Sequence, residues 1–132
     1  MPKPPLPAKF HPFLTRPNPA VMATVRAQGA PVTVATWYLW EDGRVLLNLD
    51  ARRKRLRHIR RDPRVSLTVL GEDWYQHVSL HGQAVSVEDD RDLADIDRIA
   101  QHYGRSRYGD RKHARVSVWV ELERWHAWGF GH

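Results

Sequence analysis

Apolar and polar residues alternate with period two along most of the chain and switch to a helical period in two places. Val21–Ala27 ("VMATVRA") reads as a short strand, and "QGAP" after it as a turn in which Gly29 is free to take positive φ. Pro31–Trp40 ("PVTVATWYLW") is dense in β-branched and aromatic residues and reads as a second strand. Both its faces are apolar, with Val32, Val34, Tyr38 and Trp40 on one and Ala35, Trp37 and Leu39 on the other. Such a strand needs cover on two sides, from something beyond its own core. "EDG" then turns the chain into a third strand, Arg44–Leu49.

Asp50 is placed to cap a helix starting at Ala51 or Arg52. Leu56 and Ile59 give that helix a narrow apolar stripe, and Asp62-Pro63 ends it. Arg64–Leu70 is a fourth strand and Trp74–Val87 a long fifth. The apolar face of the fifth shifts from Val78 and Leu80 to Val85 and Val87, so a bulge is expected near Gly82. "EDDRDLADIDRIAQHYG" is the clearest helix. Acids crowd its first turn, Leu93, Ile96, Ile99, Ala100 and Tyr103 form its apolar face, and Gly104 closes it. Arg115–Glu123 alternates cleanly as a sixth strand. The expectation is a mainly β (α+β) chain of about six antiparallel strands with two or three helices, which a small barrel accommodates. The proline-rich start "MPKPPLPAKFHPF" lacks the apolar stretch of a signal peptide and reads as an extended arm over residues 1–12, disordered or packed on a partner. One domain over 13–132 follows.

Charge changes this picture at one place. Of 21 basic and 15 acidic residues, Arg52, Arg53, Lys54, Arg55, Arg57, Arg60, Arg61 and Arg64 fall within thirteen positions, against the single acid Asp62. The rest of the chain is nearly neutral. Eight like charges without i,i+4 partners repel one another, which disfavours a merely solvated helix face. An anionic partner relieves that repulsion. A nucleic acid is one possibility, but no RNP-type strand, GXXG clamp or helix-turn-helix spacing is present. A second basic stretch, the loop Arg105 to Arg115, is interleaved with tyrosines and glycines and fits either a nucleic acid or a small anion. For the first stretch a small polyanion suits the position better. The cations begin where a strand ends and a helix starts, where free N–H groups and the helix dipole favour a phosphate.

Other chemistries are poorly supported. With no cysteine there are no disulfides and no thiolate metal site, which permits a cytoplasmic address. No run of apolar residues is long enough to span a membrane. His77 and His81, four apart on a strand, stand about 13 Å from each other, too far for one metal ion, and no metal is expected. No G-x-S-x-G signature points to a hydrolase. Trp74 and Tyr75 are open between core and groove, and Trp119 between interface and surface.

In order along the chain come "TVRAQGAP", "WYLWEDG", the basic turn running into "RRDPRVSL", the "G-x-A" of Gly82–Ala84 and the closing "WHAWG". Over roughly Phe13 to Gly129 this order resembles the pyridoxamine-phosphate-oxidase-like split β-barrel family. More narrowly, it resembles the actinobacterial branch of flavin/deazaflavin oxidoreductases that use coenzyme F-420. The resemblance implies a split β-barrel of the FMN-binding type and a homodimer with cofactor in a groove between subunits. It further implies that Arg52, Arg53, Lys54 and Arg55 hold the cofactor phosphate. Thr36 and Trp37 would then lie near the ring, and Asn48 and Asp50 near the phosphate-bearing linker. Trp125 and Trp128 are implied to come from the partner subunit or to shape the substrate side. Relatives often carry Ser or Thr where this chain has Asn48-Leu49-Asp50, and an acid at Asp50 requires pairing with Arg52 or Arg53.

The implied activity is hydride transfer from reduced F-420 to a small conjugated substrate, with no catalytic triad. FMN is the alternative cofactor: it carries one phosphate, whereas F-420 adds a phosphodiester and a chain of glutamates, so the surplus cations favour F-420. A non-catalytic binder of an anionic cofactor or nucleic acid is the reading from another class.

Overall fold

The computed structural model describes residues 1–131. A single 3-10 turn at Ala8–Phe10 leads into α1 (His11–Leu14), followed by β1 (Ala20–Val25), β2 (Pro31–Thr36), β3 (Leu39–Glu41) and β4 (Arg44–Asp50). Next come α2 (Lys54–Arg61), β5 (Arg64–Leu70), β6 (His77–Asp89), α3 (Ala94–His102) and β7 (Arg115–Trp128). The strands form one antiparallel sheet in the order β2-β1-β5-β6-β7-β4-β3. Its two edge strands, β2 and β3, are joined in sequence by only Trp37 and Tyr38. The sheet must therefore curl until its edges meet, yet no ladder closes them, and the result is a split β-barrel.

That link is also why seven strands replace the expected six. The stretch Pro31–Trp40 breaks after Thr36, and its halves pair with different neighbours, β2 with β1 and β3 with β4. The break is pinned by Tyr38. Its ring is fully buried and its hydroxyl donates to the Leu14 carbonyl at 2.7 Å. Tyr38 and Trp40 join the barrel core with Leu47, Leu67, Val69, Val78 and Val118. Leu39 points the other way, into a second cluster with Leu46, Ile96 and Ile99. Of the second apolar face, α3 of the same chain covers Leu39 and part of Trp37, while Ala35 stays exposed. Burying each of Ile96 and Ile99 contributes about 1.5–3 kcal/mol to that docking.

Helix α2 begins at Lys54 and not at Ala51 or Arg52. The Asp50 carboxylate accepts the Arg52 N–H at 2.9 Å, and Arg53 N–H donates to the Asp50 carbonyl at 3.0 Å. Asp50 therefore closes a turn, while Arg53 takes the N-cap position with no side-chain cap. Leu56 and Ile59 are buried and the helix stops at Asp62, as the stripe and the proline predict. At α3, the Asp90 carboxylate receives the Asp95 and Ile96 amides at 3.1 and 2.9 Å.

Strand β6 starts at His77, three residues later than its composition suggests. Asp73 closes a turn there, accepting Tyr75 N–H on its side chain and Gln76 N–H on its carbonyl. Trp74 and Tyr75 are left 72% and 56% exposed, outside the core. The expected irregularity is present, with register shifts against β7 between His81 and Gly82 and between Ala84 and Ser86. Strand β7 continues past Glu123 to Trp128. The proline-rich start packs on this barrel: Leu6 and Phe10 are buried in its core, and Trp125 N–H donates to the Pro2 carbonyl at 3.1 Å. No helix among the described residues is long and apolar enough to cross a membrane.

Candidate functional site

Where β4 runs into α2, the chain borders a cleft of about 700 Å³, within the range of small-molecule sites. Its walls come from the ends of β1, β2 and β4, the turn before α2, helix α3 and the loop between α3 and β7. One end is cationic and the other aromatic.

Arg52, Arg53 and Arg55 line the cationic end. Arg52 is committed elsewhere: its Nε and Nη2 donate to the two Asp50 oxygens at 2.9 and 2.7 Å. This pairing, with the backbone N–H of Arg52 and the nearby charge of Arg115, holds the Asp50 carboxyl far below the usual carboxylate range despite its burial. Asp50 is therefore ionised and neutralised, so it does not repel an anion in the cleft. Arg55 is the opposite case. It is half-buried, its Nε is a buried donor with no partner, and burial together with Arg53 pushes its pKa down. A cation desolvated in this way, with no acid against it, is poised for an anion. The first turn of α2 also holds no acidic side chain, which leaves its positive dipole end uncompensated.

Trp37 and Tyr103 form the aromatic end, stacked with centroids 5.0 Å apart and planes 9° from parallel. Tyr108 meets Trp37 edge-on at 6.4 Å, and the Arg105 guanidinium lies 6.0 Å from the Trp37 ring. The Tyr103 hydroxyl donates to the Asn18 carbonyl at 2.7 Å, and burial pushes its pKa up to about 12. This phenol stays neutral and serves as a wall. The loop carrying Tyr108 has no regular structure but is tied to α3, because Asp97 accepts both the Tyr108 N–H at 2.9 Å and Arg111 Nη1 at 2.6 Å.

Between the two ends lie Asn48 and Arg115. Asn48 Nδ2 donates to Asp90 and Ser117 at 3.0 and 3.1 Å, and its Oδ1 accepts from Arg115 Nε at 2.9 Å. Its side chain is fully engaged, so it acts by holding Arg115 in place. Asp50, Asp110 and His113 offer ligand atoms within 4.8 Å of one another. Those atoms already bond to Arg52 and to each other, His113 Nδ1 to Asp110 at 2.8 Å.

Of the residues singled out from the sequence, Thr36, Trp37, Asn48, Asp50, Arg52, Arg53 and Arg55 all line this cleft. Lys54 does not; it is exposed on α2. Trp128 stands at the far end of β7, 50% exposed, with Tyr75 edge-on to it at 6.2 Å. Trp125 is tied to the N-terminal segment through Nε1 and the Lys3 carbonyl. Arg115 and Tyr108 fall in the second basic stretch, Arg105 to Arg115, which the sequence left open between a nucleic-acid and a small-anion partner, and Tyr103 was expected only as core. The signal for Arg115 was its position two residues before Ser117, on the face of β7 opposite the valines. Nothing in that stretch singled out Tyr108 from its neighbours.

The family model of pyridoxamine 5'-phosphate oxidase matches residues 6–129. No curated protein sequence matches the chain. Among solved structures, an F420 reductase superposes with a TM-score of 0.84 at 22% identity, covering 92% of this chain and 98% of its own. A conserved hypothetical protein from Mycobacterium tuberculosis gives 0.74 at 25% identity, covering 96% and 86%. A pyridoxamine 5'-phosphate oxidase-related, FMN-binding protein from Nostoc punctiforme gives 0.59 at 10% identity, covering 80% and 70%.

Proposed function

The chain belongs to the pyridoxamine 5'-phosphate oxidase family, and on that premise we propose that its cleft binds coenzyme F-420 and that the protein is a reductase acting on a small conjugated organic substrate. The observation that carries this reading is the unpartnered, half-buried Arg55 at one end of a cleft whose other end is the Trp37–Tyr103 stack. A flat ring joined to a phosphate group has this same polarity. The residues present therefore fit a flavin-type cofactor: Arg53 and Arg55 would hold phosphate, and Trp37, Tyr103 and Tyr108 would flank the ring.

When bound, the reduced deazaflavin supplies a hydride from its own ring carbon. The chain contributes position and electrostatics. Arg53, Arg55 and the uncapped start of α2 would anchor the anionic end. Asp50, by holding Arg52, would keep the turn at fixed geometry, and Asp97 would hold the Tyr108 loop across the ring end. Ile96 and Ile99 line the cleft from α3 and exclude water.

FMN is the runner-up. Two cations suffice for its single phosphate, whereas Lys54, Arg57, Arg60 and Arg61 stand exposed on α2 with no carboxylate within salt-bridge reach among the described residues. A phosphodiester followed by glutamates gives those charges a partner. A homodimer belongs to the same proposal, because Trp74, Tyr75 and Trp128 form an exposed aromatic patch that a second copy would cover.

The test is a titration of purified protein with F-420 and with FMN, followed by fluorescence at low and moderate salt. Tighter binding of F-420, weakened by Arg53→Ala, is expected. Tight FMN with weak F-420 would move the protein to the flavin branch. Failure of both to bind would overturn the proposal and leave the non-catalytic anion binder.

A further inference from the structure

Arg115 opens β7 and is only 8% exposed. No carboxylate among the described residues lies within 4.0 Å of its guanidinium. Its hydrogen bonds go to neutral acceptors: Nε to Asn48 Oδ1 at 2.9 Å, Nη2 to the Asn48 carbonyl at 3.1 Å and Nη1 to the Tyr108 hydroxyl at 3.2 Å. A guanidinium has five N–H groups, so two remain. Asp50, its partner across the β4–β7 ladder, is near enough to feel its charge but has both oxygens bound by Arg52; for folding alone, a buried charge with no ion pair of its own is a poor choice, and an apolar side chain of similar volume serves as well or better. Arg115 also lines the cleft. The charge is therefore explained by something that enters the cleft.

Arg53 and Arg55 already serve the cationic end, whereas the Arg115 guanidinium lies 4.5 Å from the ring centroid of Tyr108, which in turn meets Trp37 edge-on. Arg115 thus stands between the two ends, held by Asn48, and reaches the aromatic one at Tyr108. A flavin-type ring that accepts a hydride gains two electrons and one proton. Unless a second proton follows, the ring then carries a net negative charge, delocalised over the nitrogen and carbonyl oxygen of its pyrimidine portion. A fixed fork with two unused N–H groups is complementary to such a planar pair of acceptors.

We propose that Arg115 makes the cleft discriminate between redox states, binding the reduced, anionic ring of a flavin-type cofactor in preference to the oxidised one. This rests on the cofactor reading above and adds to it a preference that phosphate contacts cannot supply, because the phosphate is the same in both states. Arg115 is then a specificity-determining residue whose charge favours the hydride-loaded form.

The experiment compares dissociation constants for the oxidised and the reduced form of one cofactor, F-420 or FMN, under anaerobic conditions. It uses wild type, Arg115→Lys and Arg115→Gln, with Arg115→Met as a second neutral variant should the Gln protein not fold. The wild type is expected to bind the reduced form more tightly. The neutral variants should lose about tenfold more affinity for the reduced form than for the oxidised form. For a two-electron couple this lowers the bound midpoint potential by about 30 mV. Arg115→Lys should keep most of the preference. Equal losses for both forms, or no loss, would overturn the proposal while leaving cofactor binding intact. If wild type binds neither form, the cofactor reading fails and this inference fails with it.

Discussion

Replacing Arg55 by Met separates what that side chain costs the fold from what it contributes to binding. In the structure Arg55 Nε is buried and unpartnered, and its charge is opposed by burial and by Arg53. An unsatisfied buried donor costs about 1–3 kcal/mol. Against this, the aliphatic stem of Arg packs against the protein, and Met retains much of that packing. The net expectation is that Arg55→Met leaves the cofactor-free protein as stable as wild type or more stable by about 1 kcal/mol. For binding, a charge-assisted hydrogen bond to phosphate is worth about 1.5–3 kcal/mol, so the dissociation constant for F-420 or FMN should rise by about 10- to 150-fold. Denaturant unfolding of the cofactor-free proteins and fluorescence titration of the cofactor give the two numbers separately. Arg57→Met is the control. Arg57 lies on the exposed face of α2, outside the cleft, and its replacement should change stability by less than about 0.5 kcal/mol. A loss of 2 kcal/mol or more in the cofactor-free Arg55 variant, with unchanged affinity, would refute the reasoning and make Arg55 a structural residue.

The bulge and the turn give two more expectations. A Cβ at Gly82 would sit 2.1 Å from the Glu121 carbonyl oxygen, so Gly82→Ala must force β6 from β7. Overpacking and weakened ladder bonds together should cost about 2–4 kcal/mol, read as a lower denaturation midpoint. A midpoint equal to wild type would show that the strands separate freely there. Asp50→Asn keeps an acceptor for the Arg52 amide but removes the charge. Because the folded pKa of Asp50 is depressed, its contribution is present above the unfolded value of about 3.9 and is lost as pH falls through the folded one. The stability gap between wild type and variant should therefore be constant near neutrality and narrow only in acid. A gap that grew as pH fell would contradict the pairing.

Several elements were readable in one dimension because each obeys a local rule. Strict alternation of valines marks β7, and the stripe of Leu56 and Ile59 bounded by Asp62-Pro63 marks α2. Gly104, with φ +88°, ends the second long helix, and the change of apolar face near Gly82 marks the bulge in β6. The cation cluster at the junction of β4 and α2 was equally plain, since eight basic residues fall within thirteen positions against the single acid Asp62. These features depend on neighbours within a few residues, and composition determines them.

What escaped the sequence depends on which distant segments meet. Pro31–Trp40 is uniformly strand-like. Nothing in it tells that Tyr38 will reach the Leu14 carbonyl and send β3 to the opposite edge of the sheet from β2. Its second apolar face needs cover from outside the strand, and only the fold shows that Ile96 and Ile99 of α3, more than fifty residues away, supply it at Leu39 while Ala35 stays exposed. Arg115 is one arginine among 17. Only the antiparallel register that sets Asp50 against Arg115 and Asn48 against Ser117 buries its charge beside Asn48 and Tyr108. Local sequence determined which elements form and where positive charge accumulates. Tertiary packing alone decided which of those charges are desolvated and left without a counter-ion, because desolvation and pairing are properties of the segments that close around a residue.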